Sequence, residues 1–310
     1  MIKARNLSKS YGPVTALHQA SFEIGPSEIV GFLGPNGAGK STTMKILTGF
    51  IAPTAGQAWI ANQPVDDPSE SFRRHIGYLP ETAPLYPEMS VYEFLLFVCR
   101  IRQIASTARK SALERASERC GLNDVLNKSI GALSKGYRQR VGLAQAIIHE
   151  PSVLILDEPT SGLDPNQVED IRHLVRQYGQ KNTVLFSSHI LAEVDAVATR
   201  ILVIDQGRIV ADDAPHALTA QFGHSRYILS VTGVSPDVFL NWVCQQNGVR
   251  HCQSIKTGPN DVRVLLSLQD TSIAATLTRS VIDQNWDLQE LSREKADLET
   301  VFRSLTGGPK

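Results

Sequence analysis

The segment GPNGAGKS, Gly34 to Ser41, constrains this chain more than any other. It has the spacing G-x-x-x-x-G-K-S. Before it, the apolar run Ile29 to Leu33 reads as a buried strand; after it, Thr42 to Thr48 carries Met44, Ile46 and Leu47 and stops at Gly49, as a helix does. Glycines at 34, 37 and 39, interleaved with Pro35, Asn36 and Ala38, let the backbone turn tightly and aim successive N–H groups into a concave anion nest. Lys40 adds a point charge for β- and γ-phosphates, the Ser41 hydroxyl is a ligand for Mg²⁺, and Thr42 carries the loop into the helix. A strand, a phosphate loop and a helix in that order predict a nucleotide-binding α/β domain.

A chain of 310 residues with 42% apolar content can bury a substantial core, and its length is that of about two domains. Thirty-one basic residues balance thirty-one acidic ones, so the chain as a whole has no electrostatic footprint for nucleic acid, and no nucleic-acid partner is expected. The first residues, MIKARNLSKS, lack the apolar centre of a signal peptide, and no run approaches the roughly eighteen apolar residues of a membrane helix. A soluble chain is expected, with any membrane partner a separate chain. Cys99, Cys120, Cys244 and Cys252 show no C-x-x-C spacing and are expected to be buried thiols in a reducing compartment.

Taken in order, residues 2 to 24 predict short antiparallel strands about the turn Tyr11-Gly12-Pro13, where the Tyr11 ring is free either to stack on a purine or to pack. Arg73 to Glu81 reads as a strand running into a loop. Residues 85 to 149 have a helical texture, with a capping box Ser90-Val91-Tyr92-Glu93 and a charged helix from Ala108 to Cys120, and Arg100, Arg102, Arg109, Arg115 and Arg119 read as a solvated face. In LSKGYRQRVGLAQAIIHEP, residues 133 to 151, a turn at Ser134-Lys135-Gly136 opens a helix that Pro151 closes. Val153 to Leu156 is all apolar, a buried parallel strand, and it ends in Asp157-Glu158, where a nucleotide enzyme keeps its metal and water ligands. A helix from Asn166 to Tyr178 and a strand from Thr183 to Ser187 lead to His189, a candidate phosphate contact; Arg200 to Asp205 and Gly207 to Ala211 form a hairpin.

These motifs, in this order, resemble those of ABC transporter ATPases: Walker A at Gly34 to Ser41, a signature-like LSKGYRQR at Leu133 to Arg140, Walker B VLILDE at Val153 to Glu158, SGLD at Ser161 to Asp164, and His189. The wording GYLPE, LSKGYRQRVGLAQA and SSHILAEVDAVATR is similar to the ATPase subunits of ABC-2 type exporters, including the gliding-motility-associated group. The resemblance implies an ABC-type P-loop NTPase over residues 1–220, with antiparallel β and helical subdomains, the latter about 85–150. It implies ATP and Mg²⁺ as cofactors, ATP hydrolysis, and a head-to-tail pair in which ATP on one P-loop is covered by the signature of a second copy. A separate integral-membrane permease and a place on the cytoplasmic face of the cell membrane are implied as well.

Residue by residue, Ser134 and the Gly136 backbone would hold a γ-phosphate across the dimer, and Asp157 would hold Mg²⁺ with Ser41. Glu158 would polarise the attacking water, His189 would touch the γ-phosphate, Asp164 would couple the two sites, and Tyr11 becomes an adenine platform. Two departures stand out. Glu81 takes the place of the usual Q-loop glutamine, a carboxylate able to ligate Mg²⁺ but without an amide donor, and Tyr137 replaces the signature glutamine. The other class considered is a soluble ABC-type ATPase on a ribosome or nucleic acid; such members carry two fused cassettes or long coiled coils, and this chain has one P-loop and no sustained heptads.

Residues 221–310 hold no catalytic cluster. Strands at Tyr227 to Val231, 251 to 256, 261 to 268 and Trp286 to Leu291 alternate with helices at Ser235 to Gln246, Asp270 to Asn285 and Asp297 to Leu305. That order predicts a small ferredoxin-like α+β domain, with His251 and Cys252 packed in its core and a role either in dimer support and regulation or in stability.

Overall fold

A computed structural model describes residues 1–223, 226–257, 261–293 and 298–307. The chain divides into two compact units, Met1–Pro215 and His216–Lys310.

In the first unit β1 (Ile2–Tyr11) and β2 (Val14–Ile24) pair antiparallel about the Gly12-Pro13 turn. The strand β3 (Ile29–Leu33) is buried at every position and leads through the phosphate loop into α1 (Lys40–Leu47). This helix starts ahead of the predicted Thr42, because Gly39 caps it with φ 108° and so puts Lys40 and Ser41 on its first turn. Strands β4 (Ala55–Ile60) and β5 (Gln63–Pro64) complete a sheet in the order β2-β1-β4-β5. The predicted strand from Arg73 begins only at β6 (Ile76–Leu79); Ser71–His75 is a 3₁₀ turn, closed by the Arg73 N–H on Glu70 O and anchored by the buried Phe72.

The helical segment contains α2 (Val91–Ile101), α3 (Ser106–Arg119) and α4 (Lys135–Ile147). The capping box forms as expected, with Ser90 Oγ accepting from the Glu93 N–H and the Ser90 N–H donating to Glu93 Oε2. Lys135 and Gly136 belong to the helix rather than to a preceding turn, since Ser134 is already the cap. Arg102 and Arg109 are only half-exposed and donate to the carbonyls of Arg73 and Ile104, so the arginines do not form one solvated face.

Next come β7 (Val153–Leu156), α5 (Pro165–Gly179), β8 (Thr183–Ser188), α6 (Leu191–Val197), β9 (Arg200–Asp205) and β10 (Arg208–Asp213). The second sheet runs β10-β9-β3-β8-β7-β6, parallel except where β10 meets β9. Five parallel strands share a direction, so the residues that follow β3, β6, β7 and β8 gather along one edge. This is where a twisted α/β sheet opens its ligand crevice. Packing beside it is tight: a Cβ at Gly77 in β6 would overlap the Ala146 carbonyl oxygen of α4. Gly77→Ala is therefore expected to destabilise this unit by about 1–3 kcal/mol, read as a lowered urea midpoint.

After α7 (Pro215–Gly223), the second unit contains β11 (Arg226–Thr232), α8 (Pro236–Cys244), β12 (Val249–Thr257), β13 (Asp261–Leu268), α9 (Ser272–Asp283), β14 (Asp287–Arg293) and α10 (Leu298–Leu305). The start expected for the last helix, Asp297, lies outside the described residues. The antiparallel order β12-β13-β11-β14 is that of a ferredoxin-like βαββαβ unit. Every second residue of β13, Val262, Val264, Leu266 and Leu268, is buried with Phe239 and Val243 of α8 and Leu277 and Val281 of α9. His251, expected in the core, is exposed, because it falls on the opposite phase of β12 to the half-buried Cys252.

Two of the four cysteines depart from expectation as well. Cys244 and Cys252 form a disulfide, since the end of α8 meets β12 with their Cα atoms 5.7 Å apart, within the span such a bond bridges. Cys99 and Cys120 are buried free thiols, and burial pushes the Cys120 thiol up to about 12, which leaves it inert at neutral pH.

Candidate functional site

The loop between β3 and α1 is shaped by the packing behind it. A Cβ on Gly39 would lie 2.7 Å from Ala16 O, and the Ala38 carbonyl accepts from the Gly207 N–H at 2.9 Å. Only a residue without a side chain, at φ 108°, lets the loop sit this close while its N–H groups turn inward. A cleft of about 270 Å³ opens above it, lined by Ala16, Asn36, Gly37, Gly39, Lys40, Ser41, Thr42, Glu81, Glu158, Ser161 and His189. Glu81 follows β6, Glu158 follows β7 and His189 follows β8, so the shared edge of the parallel sheet brings these three to the loop. Gly34, Pro35 and Ala38 belong to the same loop but do not line the cleft; Gly34 lies under the Ile204 carbonyl and Ala38 is buried.

Lys40 is 6% exposed, donates to Gly34 O at 2.7 Å and Pro35 O at 3.2 Å, and lies 3.7 Å from Glu158 Oε1. A buried ammonium needs such partners, and a phosphate entering the nest would offer it a stronger, charge-assisted one. The other oxygen of Glu158, Oε2, is 2.7 Å from His189 Nδ1. Glu158 also holds a left-handed backbone, φ 50°, a conformation that costs a non-glycine residue on the order of 1–3 kcal/mol.

Ser187, absent from the sequence-derived site, supports that conformation. Its buried hydroxyl accepts from the Glu158 N–H at 2.9 Å and donates to Asp157 Oδ1 at 2.7 Å, so one side chain fixes both carboxylate-bearing residues. A serine ending the apolar run Thr-Val-Leu-Phe was the one signal for it. Gln139 was missed too; from α4 its amide donates to Pro159 O, tying the signature helix to the segment behind Glu158. Ala16 and Ser161 line the cleft without having been anticipated.

The donor set fits Mg²⁺. Ser41 Oγ is 3.3 Å from Asp157 Oδ1, and both offer hard oxygens beside the phosphate loop. Among the described residues no group of three or more His, Cys, Asp and Glu forms an all-protein cage, and Mg²⁺ characteristically takes one or two protein oxygens together with phosphates and water. Glu81 is exposed at the cleft.

Eight expected residues are not in the cleft lining: Gly34, Pro35 and Ala38 of the loop itself, Asp157 beside Ser41, and Tyr11, Ser134, Gly136 and Asp164. Tyr11 ends β1 with its ring 48% exposed and the Lys9 ammonium 5.3 Å from the ring centre, so the ring is not used in core packing. Ser134 caps α4, its Oγ accepting from the Tyr137 N–H at 3.3 Å, and Gly136 packs against the Gln167 amide of α5. Asp164 caps α5, its Oδ1 accepting from the Gln167 N–H at 2.9 Å. The signature turn and the SGLD turn are thus neighbours within one chain. Tyr137, the departure from the signature glutamine, lies under the Arg140 guanidinium at 5.6 Å.

A sequence model of the ABC transporter family matches residues 17–161. The uncharacterized ABC transporter ATP-binding protein YxlF of Bacillus subtilis (strain 168) is 37% identical over 302 residues, covering 97% of this chain and 98% of that one. This chain belongs to the ABC transporter ATP-binding proteins. The same bacterium's linearmycin resistance ATP-binding protein LnrL is 28% identical over 310 residues, with 99% and 98% of the two chains covered. Among solved structures, the dimeric bacterial ABC transporter cassette MJ0796 superimposes with a TM-score of 0.64 at 26% identity, over 69% of this chain and 98% of that one; a dimeric post-hydrolysis state of MJ0796 bound to ADP and Pi matches with the same score at 25%. As an ABC ATPase this chain binds ATP, and the cleft above Lys40 lies at the phosphate loop of that fold. Among the described residues no helix is long and apolar enough to cross a membrane.

Proposed function

We propose that this ABC ATPase hydrolyses MgATP between two head-to-tail copies of itself and uses the cycle to drive export through a separate membrane permease from the cytoplasmic face. The observation that carries the reading is the convergence of Lys40, Glu158 and His189 at 3.7 and 2.7 Å on the phosphate loop, while Ser134 and Gly136 lie outside the cleft lining. Signature donors that lie outside the cleft of their own chain support a shared, two-copy site.

In this reading the nest N–H groups and Lys40 bind the β- and γ-phosphates, and Tyr11 carries the adenine. Ser41 and Asp157 hold Mg²⁺, with Glu81 within the same cleft; the metal supplies charge neutralisation at the transferring phosphoryl group. Glu158 orients the attacking water and takes its proton at a carboxylate oxygen. His189, held at its Nδ1 by Glu158, presents its other ring nitrogen to the γ-phosphate. Ser134 and the Gly136 N–H of the second copy close the site, and Asp164 passes its state between the two. LnrL is by name a resistance protein, which supports export as the direction of transport. The ferredoxin-like unit is read either as support and regulation of the pair or as a source of stability.

Pairing has its own test. With Glu158→Gln to prevent turnover, MgATP is expected to shift the purified chain from monomer to dimer in size-exclusion chromatography with light scattering, and MgADP is not. A monomer at saturating ATP, with binding confirmed by calorimetry, would contradict the shared site. Ser134→Arg placed in the same background should block the shift while leaving ATP bound.

A further inference from the structure

We propose that Glu193 is a positioning residue for hydrolysis: its buried carboxylate clamps together the two loops that carry Glu158 and His189. This rests on the roles given to those two residues above. Glu193 lies in α6 and is 7% exposed, and among the described residues it has no cationic partner. Its Oε2 accepts from Thr160 Oγ1 at 2.7 Å and from Ser188 Oγ at 2.8 Å, and both hydroxyl residues are buried. Thr160 stands two residues beyond Glu158, and Ser188 stands immediately before His189. One oxygen therefore joins the same two loops that meet in the Glu158–His189 hydrogen bond.

The neighbouring bonds give this junction its direction. Ser188 Oγ accepts from the Ile190 N–H at 3.0 Å while donating to Glu193, so the turn on which His189 rides is gripped on either side of the imidazole. The next serine back, Ser187, faces the other way and holds the Glu158 N–H, as the alternation of a strand requires. The His189 side chain is 47% exposed. Its ring gets little support from packing, so its placement must come from its main chain. An apolar residue of similar volume at position 193 would fill the space without desolvating a carboxylate, but it could not orient two hydroxyl groups.

The test is steady-state ATP turnover of the full chain with Glu193→Ala and Glu193→Gln. Glutamine keeps an acceptor oxygen for both hydroxyls, whereas alanine removes it. Glu193→Ala is expected to lower kcat by roughly ten- to a hundredfold with the KM for ATP nearly unchanged, because a misplacement of about an ångström at reacting groups costs that much. Glu193→Gln should recover most of the turnover. In a His189→Ala background, Glu193→Ala should add little further loss, since both changes undo one arrangement. Full turnover in Glu193→Ala, no recovery with glutamine, or an undiminished loss in the His189→Ala background would overturn the proposal. If alanine impairs folding, judged by thermal melting and ATP binding, the pair Thr160→Val with Ser188→Ala removes the same hydrogen bonds and must reproduce the kcat effect. Wild-type turnover in His189→Ala alone would remove the reading beneath the proposal and the proposal with it.

Discussion

Replacing Glu158 by glutamine is expected to lower ATP turnover by about a hundredfold or more while ATP still binds, as loss of a positioned general base does. The geometry makes this a change of chemistry more than of shape. The amide of glutamine is isosteric with the carboxylate, it can keep a hydrogen bond to His189 Nδ1, now at 2.7 Å, and the backbone at φ 50° remains held by Ser187. What goes is the proton acceptor facing the attacking water and the negative charge 3.7 Å from Lys40. Removing that charge leaves Lys40 freer for phosphate, so affinity should hold or rise. Phosphate release under single turnover, with nucleotide binding followed in parallel, separates the two quantities. Wild-type hydrolysis by the glutamine variant would remove Glu158 from the chemistry and leave a different group to activate water.

Lys40→Ala should act one step earlier and abolish measurable nucleotide binding, and turnover with it. The ammonium is the cation that lines the cleft, and at 6% exposure its charge is weakly screened. A charge-assisted hydrogen bond of this kind contributes about 1.5–3 kcal/mol, and one ammonium reaches more than one phosphate oxygen. Alanine also leaves Glu158 facing the phosphates uncompensated, which turns an attraction into a repulsion. Together these correspond to a loss of at least a hundredfold in affinity, at about 1.4 kcal/mol for each factor of ten. Calorimetric titration with ATP checks it, beside a thermal melt that shows the variant folded. An affinity within a few-fold of wild type would contradict the placement of Lys40 at the phosphates. The two variants differ in kind: Glu158→Gln should still form the nucleotide-bound pair, and Lys40→Ala should not.

The elements that the sequence specified well are those whose cause is local. Ser90 with Glu93 announces a helix start because a side chain three residues from an N–H can cap it whatever the rest of the chain does. The four apolar residues of β7 announce a strand buried on both faces. Local signals misled where a competing local bond won, as at Arg73, where a 3₁₀ turn closes before β6 begins, and at Lys135, already helical behind the Ser134 cap. The cysteines failed for another reason. Spacing alone does not tell that Cys244 and Cys252 meet, because that depends on how α8 lies against β12.

By itself the sequence determined that this chain binds phosphate and in what order its motifs occur. Glycine spacing and a lysine on the first helical turn act over a few residues, where steric limits and backbone hydrogen bonds leave little choice. The tertiary structure decided which of those parts touch. Glu158 and His189 are 31 positions apart, and they meet only because β7 and β8 are adjacent parallel strands whose ends share one edge. The same adjacency puts Ser187 beneath Asp157 and lets Glu193 join both loops, contacts that strand order creates and that no stretch of a few residues encodes.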